Sequence, residues 1–230
     1  IHRELTRLAN RPRAAALQRY FKTAPGEYGA GDRFLGIRVP VVRKLAATHR
    51  SAALPDLSRL LASPWHEERL LALFILVRQY AHADAAHREA IYRLYMSRTK
   101  QINNWDLVDC SAGHIVGAHL GGGQRDRLLR LARSKNLWER RIAIMATGYD
   151  IQRGDFDYTL RAARLLRDDP HDLIHKAVGW MLREVGRRDR SVEERFLRRH
   201  AALMPRTMLR YAIERFPQTL RQRYLAARLR

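Results

Sequence analysis

Apolar residues recur every three to four positions along most of the chain, the period of a helix with one buried face, and no stretch alternates as a half-buried strand does. Leu70, Leu71, Leu73, Phe74 and Val77 form one such face. They predict a helix starting near Trp65, with Ser63 as its cap and Pro64 in its first turn. Ile142, Ala143, Met145 and Ala146 predict a second helix after Leu137-Trp138, and Ala177, Val178, Met181, Leu182 and Val185 a third after Asp172. Short breakers separate the helices: Gly121-Gly122-Gly123, Arg153-Gly154-Asp155, Asp168-Asp169-Pro170 and Met204-Pro205. These are turn lengths, and no long linker marks a domain boundary, so residues 1–230 read as a single domain. The exception is the segment 23–32, where Pro25 and three glycines rule out a stable helix and predict a loop leading into Phe34-Leu35-Gly36-Ile37-Arg38-Val39-Pro40.

Within these helices a basic residue returns at nearly constant spacing. Arg69, Arg141, Lys176 and Arg210 are separated by 72, 35 and 34 residues, and the member missing from the first interval falls at Trp105. Similarity at a period of 20 to 50 residues is the mark of a solenoid, in which each helix pair buries its apolar face against its neighbours. The expected fold is therefore all-α, a helical-repeat superhelix with the basic residues in a stripe along its concave face. Positions one turn later in the repeat are Asp109, Met145 and Trp180. Because residues four apart share a helix face, the period places Trp105, Asp109, Arg141, Lys176 and Trp180 on that one surface. Each alone also fits an ordinary use: buried indoles, a surface acid paired with an arginine, a solvated basic face.

Composition sharpens the choice. Forty-four Lys and Arg against 23 Asp and Glu give a net charge of +21, far more than solubility requires, and point to a polyanionic partner. The single Cys110 allows no internal disulfide and suits a reduced, cytoplasmic setting; it reads as a small core residue rather than a nucleophile. No run of about 18 apolar residues is available to span a membrane.

The blocks Phe34-Leu35-Gly36-Ile37 with Pro40, Asn104-Trp105-Asp106-Leu107-Val108-Asp109, Trp138-Glu139-Arg140-Arg141 and Lys176-Ala177-Val178-Gly179-Trp180-Met181-Leu182-Arg183-Glu184 resemble the AlkD-type DNA alkylation repair proteins over nearly the whole chain. That resemblance implies HEAT-like repeats and a glycosylase, expected in the bacterial cytoplasm and nucleoid; a monomer is the expectation for a solenoid of this kind. Such a glycosylase would release N3- or N7-alkylated purines from double-stranded DNA, with no cofactor and no metal. It further implies that Asp109 is the catalytic carboxylate, that Trp105 and Trp180 cradle the lesion nucleotide, and that Arg141 holds a phosphate. A family trait is that the lesion need not swing into a deep pocket.

The chain departs from typical active members in two places. The Pro/Gly loop replaces a helix before Phe34, and Arg38 stands where a neutral Gln follows the Ile. Tyr28 and Arg38 are accordingly expected to contact the DNA backbone, and a non-catalytic binder of damaged or branched DNA stays open as the alternative. Other motifs are weaker. His171 and His175 lie one turn apart but lack the Glu and third ligand of a zinc helix, and the triple glycine lacks the Gly-Lys-Ser/Thr of a phosphate loop.

Overall fold

The computed structural model describes residues 1–121 and 123–226; Gly122, in the triple-glycine turn, lies outside them. Among the described residues every regular element is helical, apart from one isolated bridge between Arg33 and Trp65. The fold is all-α and built of repeated helix pairs. Contacts group the chain into two compact units, Ile1–Ile115 and Val116–Arg230.

The first unit contains α1 (His2–Arg7), α2 (Arg11–Tyr20), α3 (Val39–Thr48), α4 (Leu54–Leu61), α5 (His66–His82), α6 (Ala85–Ser97) and α7 (Trp105–Asp109). Its centre is α5, which packs against α3, α4, α6 and α7. Every residue of α5 from His66 to Leu76 is buried, so the first three turns of this helix are enclosed on all sides and not amphipathic. Its first four residues are nevertheless charged or titratable: His66, Glu67, Glu68 and Arg69. Burying them requires partners for each.

Glu67 receives backbone N–H groups from Leu35 (2.8 Å), Gly36 (2.7 Å) and Ile37 (3.1 Å). The Phe34–Ile37 block is thus an extended strap laid across the start of α5. Gly36 is obligatory there, since its φ is +82° and a Cβ would come within 2.2 Å of the Asn10 carbonyl. Glu68 pairs with His2.

The second unit contains α8 (Ala118–Leu120), α9 (Asp126–Leu131), α10 (Leu137–Ala146), α11 (Gly148–Ile151), α12 (Asp157–Leu165), α13 (Asp172–Arg188), α14 (Arg190–His200), α15 (Arg206–Ala212) and α16 (Gln218–Ala226). Here α10 packs on α13 and α13 on α15, while α9 packs on α12. This nearest-neighbour stacking is the repeat that the spacing of Arg141, Lys176 and Arg210 foretells, because those residues sit on α10, α13 and α15. Asn136 caps α10 by accepting the Trp138 N–H at 2.9 Å.

Candidate functional site

In the first unit the candidate residues Trp105 and Asp109 occupy α7, a helix of only five residues that cannot hold its own shape. What fixes it is a buried charge cluster around Asp32, the last residue of the Pro/Gly segment. Asp32 pairs with Arg69 and with His66 Nδ1 (3.2 Å), and receives weaker donations from Asn103 and Asn104 just before α7. His66 Nε2 in turn reaches Asp106 in the first turn of α7 at 2.8 Å. One carboxylate thereby clamps three segments: the loop, the start of α5 and the entry to α7. The 23–32 segment is an ordered structure, anchored at its end by Asp32.

The electrostatics follow from burial. Burial alone would depress the His66 pKa, but Asp106 first and then Asp32 overcome it and raise the value to about 9, so the imidazole is a cation at neutral pH. Burial would raise the Asp32 pKa. Its bonds to His66 and Arg69 hold it below the ordinary carboxylate value instead.

Against this cluster lie three more rings, with Phe21, Phe34 and His66 in mutual contact (Phe21 to His66, 5.1 Å, tilted) and Trp105 packed on Phe21. Phe34 stacks on His66 (4.4 Å between centroids), Phe21 on Phe34 (5.0 Å) and Trp105 on Phe21 (5.2 Å). Trp105 is half-buried, with one side packed on Phe21; its place in the repeat predicts an open face, and the structure puts it at the boundary. Tyr20 stands edge-on to Trp105 at 6.1 Å and is 65% exposed. Helical periodicity gives Tyr20 no special place; its signal is the aromatic pair Tyr20-Phe21 at a helix end just before the Pro/Gly loop. Asp109 lies one turn after Trp105 and is partly exposed. A carboxylate in the last turn of a helix is disfavoured by the helix dipole, so helix stabilisation does not account for it. Cys110 is held as a thiol by burial, with the adjacent Asp106 and Asp109 adding to the effect. Arg38 is exposed as the residue preceding α3, and Tyr28 is half-buried in the loop.

In the second unit Trp180 is half-buried on α13, its indole N–H donating to Glu184 at 3.2 Å. It lines a cavity of about 390 Å³ together with Gly148, Gln152, Glu184, Arg187 and Arg188. Lys176, one turn earlier, is partly exposed and pairs with Asp172 at 2.8 Å; Arg210 is exposed on α15. Arg141 is 4% exposed, and its guanidinium donates to the Leu173 carbonyl at the start of α13.

The expected basic stripe therefore needs correction. Arg69 and Arg141 are not solvent-facing: each is buried and bonded to protein, Arg69 because an enclosed helix tolerates a cation only beside an anion, Arg141 because it ties α10 to α13. Lys176 and Arg210 remain accessible. His171 and His175 serve the start of α13, one accepting the Leu173 N–H (3.2 Å) and the other bonded to the Asp169 carbonyl (2.5 Å). Among the described residues there is no cluster of metal-ligating side chains and no helix long and apolar enough to cross a membrane.

Trp180→Ala is expected to lower thermal stability only slightly, because the indole is a groove wall and not core. Trp138→Ala, which empties a site 6% exposed, should lower it far more. Parallel thermal melts of the two variants check this ordering.

Comparison with known proteins gives these features a context. A solved structure described as a predicted DNA alkylation repair enzyme from Enterococcus faecalis superposes with a TM-score of 0.69 over 91% of this chain and 97% of its own, at 17% identity, which establishes a shared fold. No curated protein matches significantly. The family model described as DNA alkylation repair enzyme matches residues 1–216. With nearly its whole length covered, the chain belongs to the DNA alkylation repair enzyme family.

Proposed function

We propose that the protein excises N3- and N7-alkylated purines from duplex DNA by hydrolysing the N-glycosidic bond, with Asp109 as the catalytic carboxylate. The observation that carries this is the placement of Asp109 one turn beyond Trp105 on a short helix held rigid by the Asp32–His66–Asp106 clamp. Such investment in the position of five residues fits a group that must meet a substrate atom accurately.

An N3- or N7-alkylated purine is already cationic and leaves without protonation. The enzyme must stabilise positive charge growing on the deoxyribose and orient a water, and one carboxylate does both. Trp105, beside Asp109 on the same helix, presents electron-rich indole to a cationic lesion or sugar, an attraction that grows with the charge; Trp180 offers a second indole on the other unit. Lys176, Arg210 and Arg38 supply accessible cations for phosphates, which fix position without reading sequence. Chromatography of duplex DNA carrying N7-methylguanine after incubation with the protein tests the proposal: free base should exceed a no-protein control.

The second reading, a binder of damaged or branched DNA that releases no base, is favoured by the ordered 23–32 segment and the exposed Arg38. Both readings require phosphate binding. Affinity for duplex should fall linearly with salt on logarithmic axes, by a slope of about −0.9 per phosphate neutralised. Lys176→Ala and Arg210→Ala should each reduce that slope by about one unit. Arg141→Ala should leave the slope unchanged, because its guanidinium is committed to Leu173. Titrations by fluorescence anisotropy at four salt concentrations read all three.

A further inference from the structure

The first unit contains a cavity of about 350 Å³ that the proposed chemistry does not use. Its walls are mostly apolar: Leu17, Phe21, Phe34, Ile37, Leu70 and, at the mouth, Val39. Val39 is 44% exposed, so the space opens to solvent. Two arginines, Arg13 and Arg38, also line it, and the Asp106 carboxylate and His66 imidazole form its polar end.

We propose that this cavity receives one unpaired, uncharged nucleobase of bound DNA, with Arg38 meeting the phosphate that flanks it. This rests on the DNA-binding reading above and adds a site to it. The volume lies at the lower end of small-ligand pockets, which suits a single heterocycle. Phe21 and Phe34 stack on each other and both pack against the His66 ring, with Trp105 on Phe21, so they would meet a base with their electropositive ring edges, an arrangement aromatic systems favour. Asp106 accepts the Leu107 N–H (2.9 Å) and the His66 N–H, which leaves lone pairs for a ring or exocyclic N–H of the base.

Charge decides between a neutral and a cationic base. The carboxylate of Glu67 is occupied by three backbone N–H groups. Against Glu67 and Asp106 stand three cations, Arg13, Arg38 and protonated His66. A lining with one excess positive charge attracts a phosphate and repels an alkylated, positively charged purine. The occupant is then a normal base displaced from its pair, distinct from the lesion that Asp109 acts on.

The test uses the whole protein and two duplexes, one with a single 2-aminopurine bulged out without a partner, the other with the same base paired. Wild type is expected to bind the bulged duplex at least about tenfold more tightly, with 2-aminopurine emission rising as the base leaves the stack. Val39→Trp, a change at the exposed mouth, should close the cavity. It should abolish that preference to within about twofold while leaving affinity for the paired duplex unchanged. Equal wild-type affinities for the two duplexes, or a preference that survives Val39→Trp, would overturn the proposal. Failure to bind either duplex would instead overturn the DNA-binding reading beneath it.

Discussion

Asp109→Asn is expected to reduce release of N7-methylguanine by about 10²-fold or more, the scale of a positioned charged group in a transition state. The amide keeps the shape of the side chain and removes the negative charge. Affinity for duplex DNA should hold or rise, since a charge of the same sign as phosphate is gone. Asp106→Asn supplies the contrast. Asp106 is bonded to His66 at 2.8 Å and belongs to the clamp, so its loss should appear in the melting temperature alongside any change in rate. Single-turnover release at saturating protein separates the two variants. Equal rates for Asp109→Asn and wild type would remove Asp109 from the chemistry.

The second large effect is on stability. Asp32→Ala would leave the Arg69 guanidinium and the His66 cation facing each other's environment without their shared anion, and removing one partner of a buried ionic group costs about 3–5 kcal/mol. Urea unfolding should show that loss as a lowered midpoint; a loss below about 1 kcal/mol would mean that the clamp contributes little. The same cluster predicts a pH dependence. Because the folded-state pKa of His66 is raised to about 9, its stabilisation is complete below the ordinary imidazole value near 6.5 and disappears as pH rises through 9. Asp32 acts in the opposite sense. Its pKa is lowered on folding, so its contribution is present above the ordinary carboxylate value and is lost as pH falls through the lowered one.

Helical periodicity revealed much of the fold. The spacing of Arg141, Lys176 and Arg210 marks α10, α13 and α15, which do stack in succession, because repeat packing forces equivalent residues into equivalent places. Periodicity could not tell whether an equivalent place faces solvent. Arg141 and Lys176 share a phase, yet one is buried against Leu173 and the other partly exposed. In the first unit the clamp was invisible for a different reason. Asp32 meets His66, Arg69, Asn103 and Asn104 across long sequence separations, through a segment with no period of its own. One signal was present: four consecutive charged or titratable residues, His66 to Arg69, opening a helix that continues as eight consecutive apolar residues, Leu70 to Val77, which only buried partners could sustain. Phe34-Leu35-Gly36-Ile37, a block that carried the family resemblance, is structural here. It stacks Phe34 on His66 and spends its N–H groups on Glu67.

The most direct measurement of the proposed activity is a paired count of free N7-methylguanine and of abasic sites, after wild-type protein is held in excess over a duplex bearing that lesion. Hydrolysis of the glycosidic bond predicts that both rise together, well above the spontaneous rate of the same duplex alone. A duplex that is demonstrably bound, yet yields neither product beyond that spontaneous rate, would contradict it.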